Sequence, residues 1–240
     1  MLSEMRKRNG RLTYAAFVLI VSTFGLITSA SLLSSTVSEP GAPDARRIWI
    51  AIFYGTVCIV GIVAVLFSVP CSGVLGTRIP FTEDAETSMA RTTRVFGVRL
   101  VHGHHTPGPE TESHELQIGG KSYCATCFGL LTGAVASLVA VVEFAFHGWP
   151  ANLDLSFAYG LYCLGVVGVV LGLFQAIAST PRAWTRFVLA ILFVVGTGFM
   201  LIATDALTAN IIADLLAILL AVFWVLSRIS LSHRRRGLPA

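Results

Sequence analysis

Charge is scarce in this chain: 12% of its 240 residues are Asp, Glu, Lys or Arg, against about 25% in an ordinary soluble domain. That shortage excludes a water-soluble globular fold, because too few charged groups are present to cover a solvated surface. Cysteine is also sparse, five in the whole chain, which excludes a disulfide-stapled scaffold. Glycine shows no three-residue period, so a collagen-like helix is excluded, and the shortage of polar residues excludes disorder. What is abundant is apolar: 55% of the residues are hydrophobic. The composition is that of an integral membrane protein. The formal charge of +4 does not indicate a nucleic-acid partner, because the basic residues sit at the ends of apolar segments, where they act as topology signals.

A helix needs about 20 mostly apolar residues to cross the hydrocarbon core. Six runs qualify, at about 12–36, 48–70, 122–146, 156–179, 186–204 and 210–229. They are apolar on every face, whereas lipid-spanning strands alternate apolar and polar residues. The expected fold is therefore an all-α integral membrane protein, a six-helix transmembrane bundle in one domain. Six crossings put both termini on one side. With that side cytoplasmic, every Lys and Arg of the chain except Arg46 and Arg47 falls inside, so the positive-inside rule sets both termini in the cytoplasm at the cell membrane. A cleavable signal peptide is the competing reading of the first run, with small residues at Thr28, Ser29 and Ala30. Gly129 with Gly133, and Gly168 with Gly172, have the four-residue spacing that lets helices approach closely in lipid.

The long polar stretch, 78–121, is expected to be a cytoplasmic loop between the second and third spans. Its early part, with Glu83, Asp84, Glu86, Arg91 and Arg94, reads as a solvated loop or short surface helix. Arg94 to His102 alternates imperfectly, as one short strand would. His114 to Ile118 reads as another strand, Gly119 and Gly120 as a two-residue hairpin turn, and Lys121 to Tyr123 as the return. That return delivers Cys124 and Cys127 to the start of the third span.

The segment HGHHTPGPETESHELQIGGKSYCATCFG thus gathers two cysteines and four of the six histidines. A Cys-x-x-Cys pair places two thiolates on one tetrahedral ion, and imidazole suits the same metal. The expected ligands are His104, His105, Cys124 and Cys127, with His102 and His114 in reserve. Zinc is the expected metal and iron the alternative. A helix amino terminus also favours the thiolate that binds metal or attacks a disulfide. The competing reading is plain: histidines that are simply polar, and small cysteines that pack.

Sharper motifs fail. Haem attachment needs histidine where Phe128 stands. The zinc-protease pattern begun at His114 meets Ile118 where its second histidine belongs. No phosphate-binding Gly-rich loop or Gly-x-Ser-x-Gly elbow is present.

The segment from His104 and His105 to Cys124, Ala125, Thr126, Cys127, Phe128 and Gly129 resembles a family of bacterial and archaeal membrane proteins without assigned activity, called domain of unknown function 2085. That family's pattern has a Cys-His pair, a hairpin-like stretch, then Cys-Ala-Arg-Cys-Thr-Gly running into a membrane helix. Gln175, Arg182, Arg186, Gly196 and Gly198 resemble a second family feature. The resemblance spans about His104 to Gly198. His104 stands where the family has its first cysteine, Thr126 replaces an arginine, and Gly172 falls near an aspartate. The exchange of cysteine for histidine keeps a zinc-ligand role. The resemblance implies a membrane protein with a cytoplasmic metal knuckle and no known substrate.

Elsewhere, Glu143, His147, Asp154, Asp205 and Asp214 lie near the outer ends of the spans and read as interfacial anchors. Gln175 is placed to bond to the start of the third span or to Arg186. Cys58, Cys71 and Cys163 read as small core residues. The leading functional expectation is a loop folded by a structural zinc ion, organising the inner mouth of the bundle or docking a partner. That partner is another membrane protein or a second copy of the chain, in addition to the lipid bilayer. A membrane thiol oxidoreductase or metalloenzyme is the first alternative, and a small-solute or ion transporter the second. No reaction is assigned.

Overall fold

The structure is a computed structural model. It describes residues 2–35, 44–66, 91–95, 98–102, 115–118, 121–147, 155–177 and 182–235. Among them are six helices: α1 Leu2–Ser35, α2 Asp44–Leu66, α3 Ala125–His147, α4 Leu155–Ile177, α5 Ala183–Thr208 and α6 Ile211–Arg235. Five of these, all but α2, are long and apolar enough to cross a membrane. The apolar stretch of α2, Arg47–Val63, is shorter. Large apolar side chains such as Phe24, Phe53, Phe146, Phe174 and Leu219 are exposed on the outside of the bundle, as lipid-facing surfaces require.

Helix α5 is the hub. It packs on α4, α3, α6 and α1, and its residues from Met200 to Asp205 are all buried. Glycines explain the close approach of its neighbours. A Cβ added at Gly165 on α4 would stand 2.7 Å from the carbonyl oxygen of Gly196, and one at Gly129 on α3 would stand 2.5 Å from that of Phe187. Gly133, Gly168 and Gly172 likewise face α5, meeting Ile191 and Val194, Leu192, and Phe193. Both glycine pairs read from the sequence are thus helix contacts. Polar side chains knit the same seam: Tyr54 of α2 meets Thr197 at 2.8 Å, while Ser137 of α3 donates to the Val194 carbonyl at 3.2 Å. The ring nitrogen of Trp224 donates to Ser22 at 2.9 Å, pinning α6 to α1.

The link from α5 to α6 is tight. Ala209 adopts the left-handed conformation, φ 47°, and its N–H closes α5 on the Asp205 carbonyl at 2.9 Å. Asn210 then caps α6, its Oδ1 accepting the Ile212 N–H at 2.9 Å, as an N-cap residue does.

Two antiparallel hairpins precede α3. In the first, β1 (Arg91–Val95) pairs with β2 (Val98–His102), Arg91 opposite His102 and Val95 opposite Val98. In the second, β3 (Glu115–Ile118) pairs with β4 (Lys121–Cys124), Glu115 opposite Cys124 and Ile118 opposite Lys121. The second hairpin is the one expected around Gly119 and Gly120. The first corrects the expectation of one strand over Arg94 to His102. Only residues 96 and 97 separate β1 from β2, one of them Gly97, and a two-residue link with glycine suits a hairpin. The third helix also starts later than expected, at Ala125, because Ser122 to Cys124 belong to β4. The expected loop at Glu83, Asp84 and Glu86, the tail of the second span and Cys71 lie outside the described residues.

Candidate functional site

The strand β4 runs without a break into α3, so Cys124 closes the hairpin and Cys127 lies one helical turn later. Cys124 is buried and Cys127 half-buried, and neither is in a disulfide. The hairpin is seated on the bundle: β3 touches α5, β4 touches α3, and Leu116 of β3 is buried. Strand β2 touches β4.

Of the expected ligand set, only Cys124 and Cys127 have described side chains. His104, His105 and His114 lie outside the described residues, and for His102 only the backbone in β2 is described. Among the described residues no group of three or more His, Cys, Asp and Glu side chains converges. The donor chemistry of the two cysteines still fits zinc: two thiols held one turn apart at a strand-to-helix junction, the usual half of a tetrahedral site.

Around this junction the ends of four helices build a buried polar cluster that the sequence reading caught only in part. Gln175 of α4 is its pivot. Its Nε2 donates to the Arg186 carbonyl of α5 at 3.0 Å, and its Oε1 accepts from Nη2 of Arg228 on α6. The Gln175 to Arg186 bond agrees with expectation. Arg228 was counted only as a topology charge, yet it is 5% exposed, with its guanidinium 4.6 Å above the Phe193 ring. Arg186 is buried as well. Next to the cluster, Phe128 stacks on Phe187 at 5.4 Å, and Trp184 meets Phe187 edge-on. The signal for Arg228 was present: Ile229 and Leu231 continue the apolar helix beyond it, whereas Arg234 and Arg235 end it.

At the opposite end of the bundle the expected interfacial anchors divide. Glu143 and His147 are exposed and pair at 2.7 Å. Asp205 and Asp214 correct the expectation, being only 2% and 1% exposed. The short α5–α6 link folds both into the packed end of the bundle, where Thr204 and Thr208 are buried with them. Asp154 lies outside the described residues. Cys58 is buried as expected, but Cys163 is exposed on the outer face of α4.

No family model, curated protein or solved structure matches the chain.

Proposed function

We propose that the chain is a six-span membrane protein whose loop between α2 and α3 folds around a structural zinc site. Cys124 and Cys127 are two ligands, His104 and His105 the others, with His102 and His114 in reserve. A closed four-ligand site contributes folding energy and leaves no position for substrate. The role is therefore to order the inner mouth of the bundle and present the hairpins to a membrane-protein partner or a second copy. Membership of the family called domain of unknown function 2085 is part of the same proposal and rests on the Cys-Ala-Thr-Cys segment. So is the placement of both termini in the cytoplasm, which rests on the distribution of Lys and Arg.

One observation carries the reading: β4 hands Cys124 directly to α3, with Cys127 one turn later, on a hairpin anchored to the bundle by buried Leu116. Elemental analysis of the full chain purified in detergent tests it. The expectation is about one zinc per chain, lost in the C124S, C127S double variant. Metal absent from the unmodified chain, or unaffected by losing both thiols, overturns it.

A thiol oxidoreductase is the second reading, favoured by the place of Cys124 and Cys127 at the amino terminus of α3, since a helix amino terminus is a mark of reactive cysteines. It predicts a metal-free chain whose Cys124 and Cys127 form a reversible disulfide with a dithiol or disulfide reagent. The transporter reading gains no support from the seam of Tyr54, Ser137 and Thr197, because these groups are engaged in joining helices.

A further inference from the structure

Apart from His102, a reserve ligand, the hairpin of β1 and β2 has no part in the zinc reading. Residues 91–102 hold three arginines, Arg91, Arg94 and Arg99, and no Asp or Glu. The register sets Arg94 opposite Arg99, and like charges directly opposite one another weaken a ladder. Two strands alone are marginally stable in water at best, so this pair, with a repulsive rung, needs a surface to lie against. The rung next to the turn is apolar, Val95 opposite Val98, and Leu100 follows on β2. Its place in the chain says which surface is at hand. Strand β2 touches β4, β4 ends at Cys124, and the stretch of α3 apolar enough to cross a membrane begins at Ala125. No spacer separates strand from crossing, so with α3 in the membrane the hairpins stand at the level of the lipid headgroups.

We propose that the β1–β2 hairpin is a docking surface for anionic lipid headgroups of the membrane that the bundle spans, with Arg94 and Arg99 as the residues that take the headgroup phosphate. Arginine matches phosphate with paired N–H donors, and an anion shared by the Arg94–Arg99 rung replaces a repulsion with two attractions. Basic residues beside a membrane helix are drawn to anionic lipid over about one Debye length, roughly 8 to 10 Å. The Val95–Val98 rung suits the same place, because an interfacial element gains from apolar residues as well as from basic ones. An acidic protein would satisfy the same charge, but lipid is the neighbour that the direct passage from β4 into α3 supplies. The proposal goes beyond the zinc reading and does not depend on it, since arginine keeps its charge with or without metal. Its consequence is that lipid composition sets the order of the strands that lie against β4.

The test is amide hydrogen exchange, read by mass spectrometry over residues 91–102 of the full chain, in nanodiscs of phosphatidylcholine alone and of an equal mixture of phosphatidylcholine and phosphatidylglycerol. The mixed lipid is expected to slow exchange about 5-fold for each arginine engaged. Salt at about 1 M, where the Debye length is about 3 Å, should abolish the difference. The R94Q, R99Q double variant is expected to lose the difference between lipids, yet to exchange no faster than the unmodified chain in phosphatidylcholine, because the repulsive rung is gone. R94K, R99K keeps the charge and should keep a difference. Arg182 is exposed at the same end of the bundle, where α3 and α5 both begin, but off the hairpin, so R182Q is the control and should leave the difference intact. Equal exchange of the unmodified chain in both lipids overturns the proposal, as does a difference that survives in R94Q, R99Q or vanishes in R182Q. Faster exchange of R94Q, R99Q in phosphatidylcholine means that the arginines hold the hairpin within the chain, and overturns it too. Protection by a soluble acidic peptide, with none from phosphatidylglycerol, would give the surface to an acidic protein instead.

Discussion

At the scale of single residues, the polar groups inside this apolar chain divide into those that join helices and those that only face water, and burial tells them apart. Gln175 belongs to the first kind. It satisfies a backbone carbonyl of α5 with its nitrogen and the guanidinium of α6 with its oxygen, so a single amide joins three helices. Replacing it with leucine keeps the bulk, removes the bond to the Arg186 carbonyl and leaves Nη2 of Arg228 buried without its Gln175 acceptor. Each orphaned group costs about 1 to 3 kcal/mol, more when it is charged. Q175L is therefore expected to lower the thermal unfolding temperature clearly in detergent, with Q175E intermediate because it still accepts from Arg228. An unchanged melting temperature for Q175L would mean that Arg228 finds another partner at no cost.

The same scale shows what was legible. Gln175 was readable as a polar residue near a span end with Arg186 close in sequence. Asp205 and Asp214 were not, because position near the end of an apolar run does not reveal whether a side chain faces lipid headgroups or a neighbouring helix. That distinction depends on which helix stands alongside, and the α5–α6 link and the long α6 decide it. The place of the two cysteines at the start of the third helix was readable, since the Gly119–Gly120 turn and the apolar run that follows set where the strand ends and the helix begins.

At the scale of elements, helix contact in lipid gains little from burying apolar surface, because lipid tails are as apolar as leucine. Close approach of backbones takes its place, and glycine makes that possible at α4 and α5. Gly165 and Gly196 face each other so closely that a Cβ at either would stand 2.7 Å from the carbonyl oxygen of the other. Backbone cannot move aside as a side chain can, so G165A is expected to push the helices apart and cost about 1 to 3 kcal/mol, the usual range for overpacking. Gly160, on the same helix, has nothing within 4 Å of such a Cβ. There the substitution should be neutral or stabilise by up to about 1 kcal/mol through helix propensity. Melting temperatures of the two variants measured side by side check this, and equal losses would contradict the packing assigned to α4. The spacing of Gly168 and Gly172 announced a contact face on α4 from the sequence; the partner was not legible, because spacing does not say which helix a small face meets.

A smaller effect is expected at the α2–α5 seam. Tyr54 bonds to Thr197 at 2.8 Å, and hydrogen bonds between membrane helices are worth about 0.6 kcal/mol on average. Y54F should therefore cost about that amount and leave the bundle assembled. A collapse of the fold in Y54F would show that the hydroxyl, not the ring buried against α3 and α5, holds α2 in place.

At the scale of the whole molecule, one question about α2 decides the topology. Its apolar stretch is the shortest of the six, Arg47–Val63, and parity makes the consequence sharp: six crossings bring the termini to one side, five put them on opposite sides. The whole helix of 23 residues is about 34 Å long, against a hydrocarbon core of about 30 Å, but its first turn carries Asp44, Arg46 and Arg47. Contacts favour a crossing, because α2 follows α3 and α5 inward from the far end of the bundle. Arg47 lies over the Phe144 ring near the end of α3, Tyr54 reaches Thr197, and Gly55 faces Leu138. A helix lying in the interface would diverge from α3 within two turns instead of tracking it. A crossing α2 would bring both ends of the chain to one side, where the proposed orientation concentrates Lys and Arg, so reporters fused at the amino and at the carboxyl terminus should both report the cytoplasm. Opposite compartments for the two reporters would remove α2 from the crossings and place the hairpins, with Cys124 and Cys127, on the opposite side of the membrane from the amino terminus.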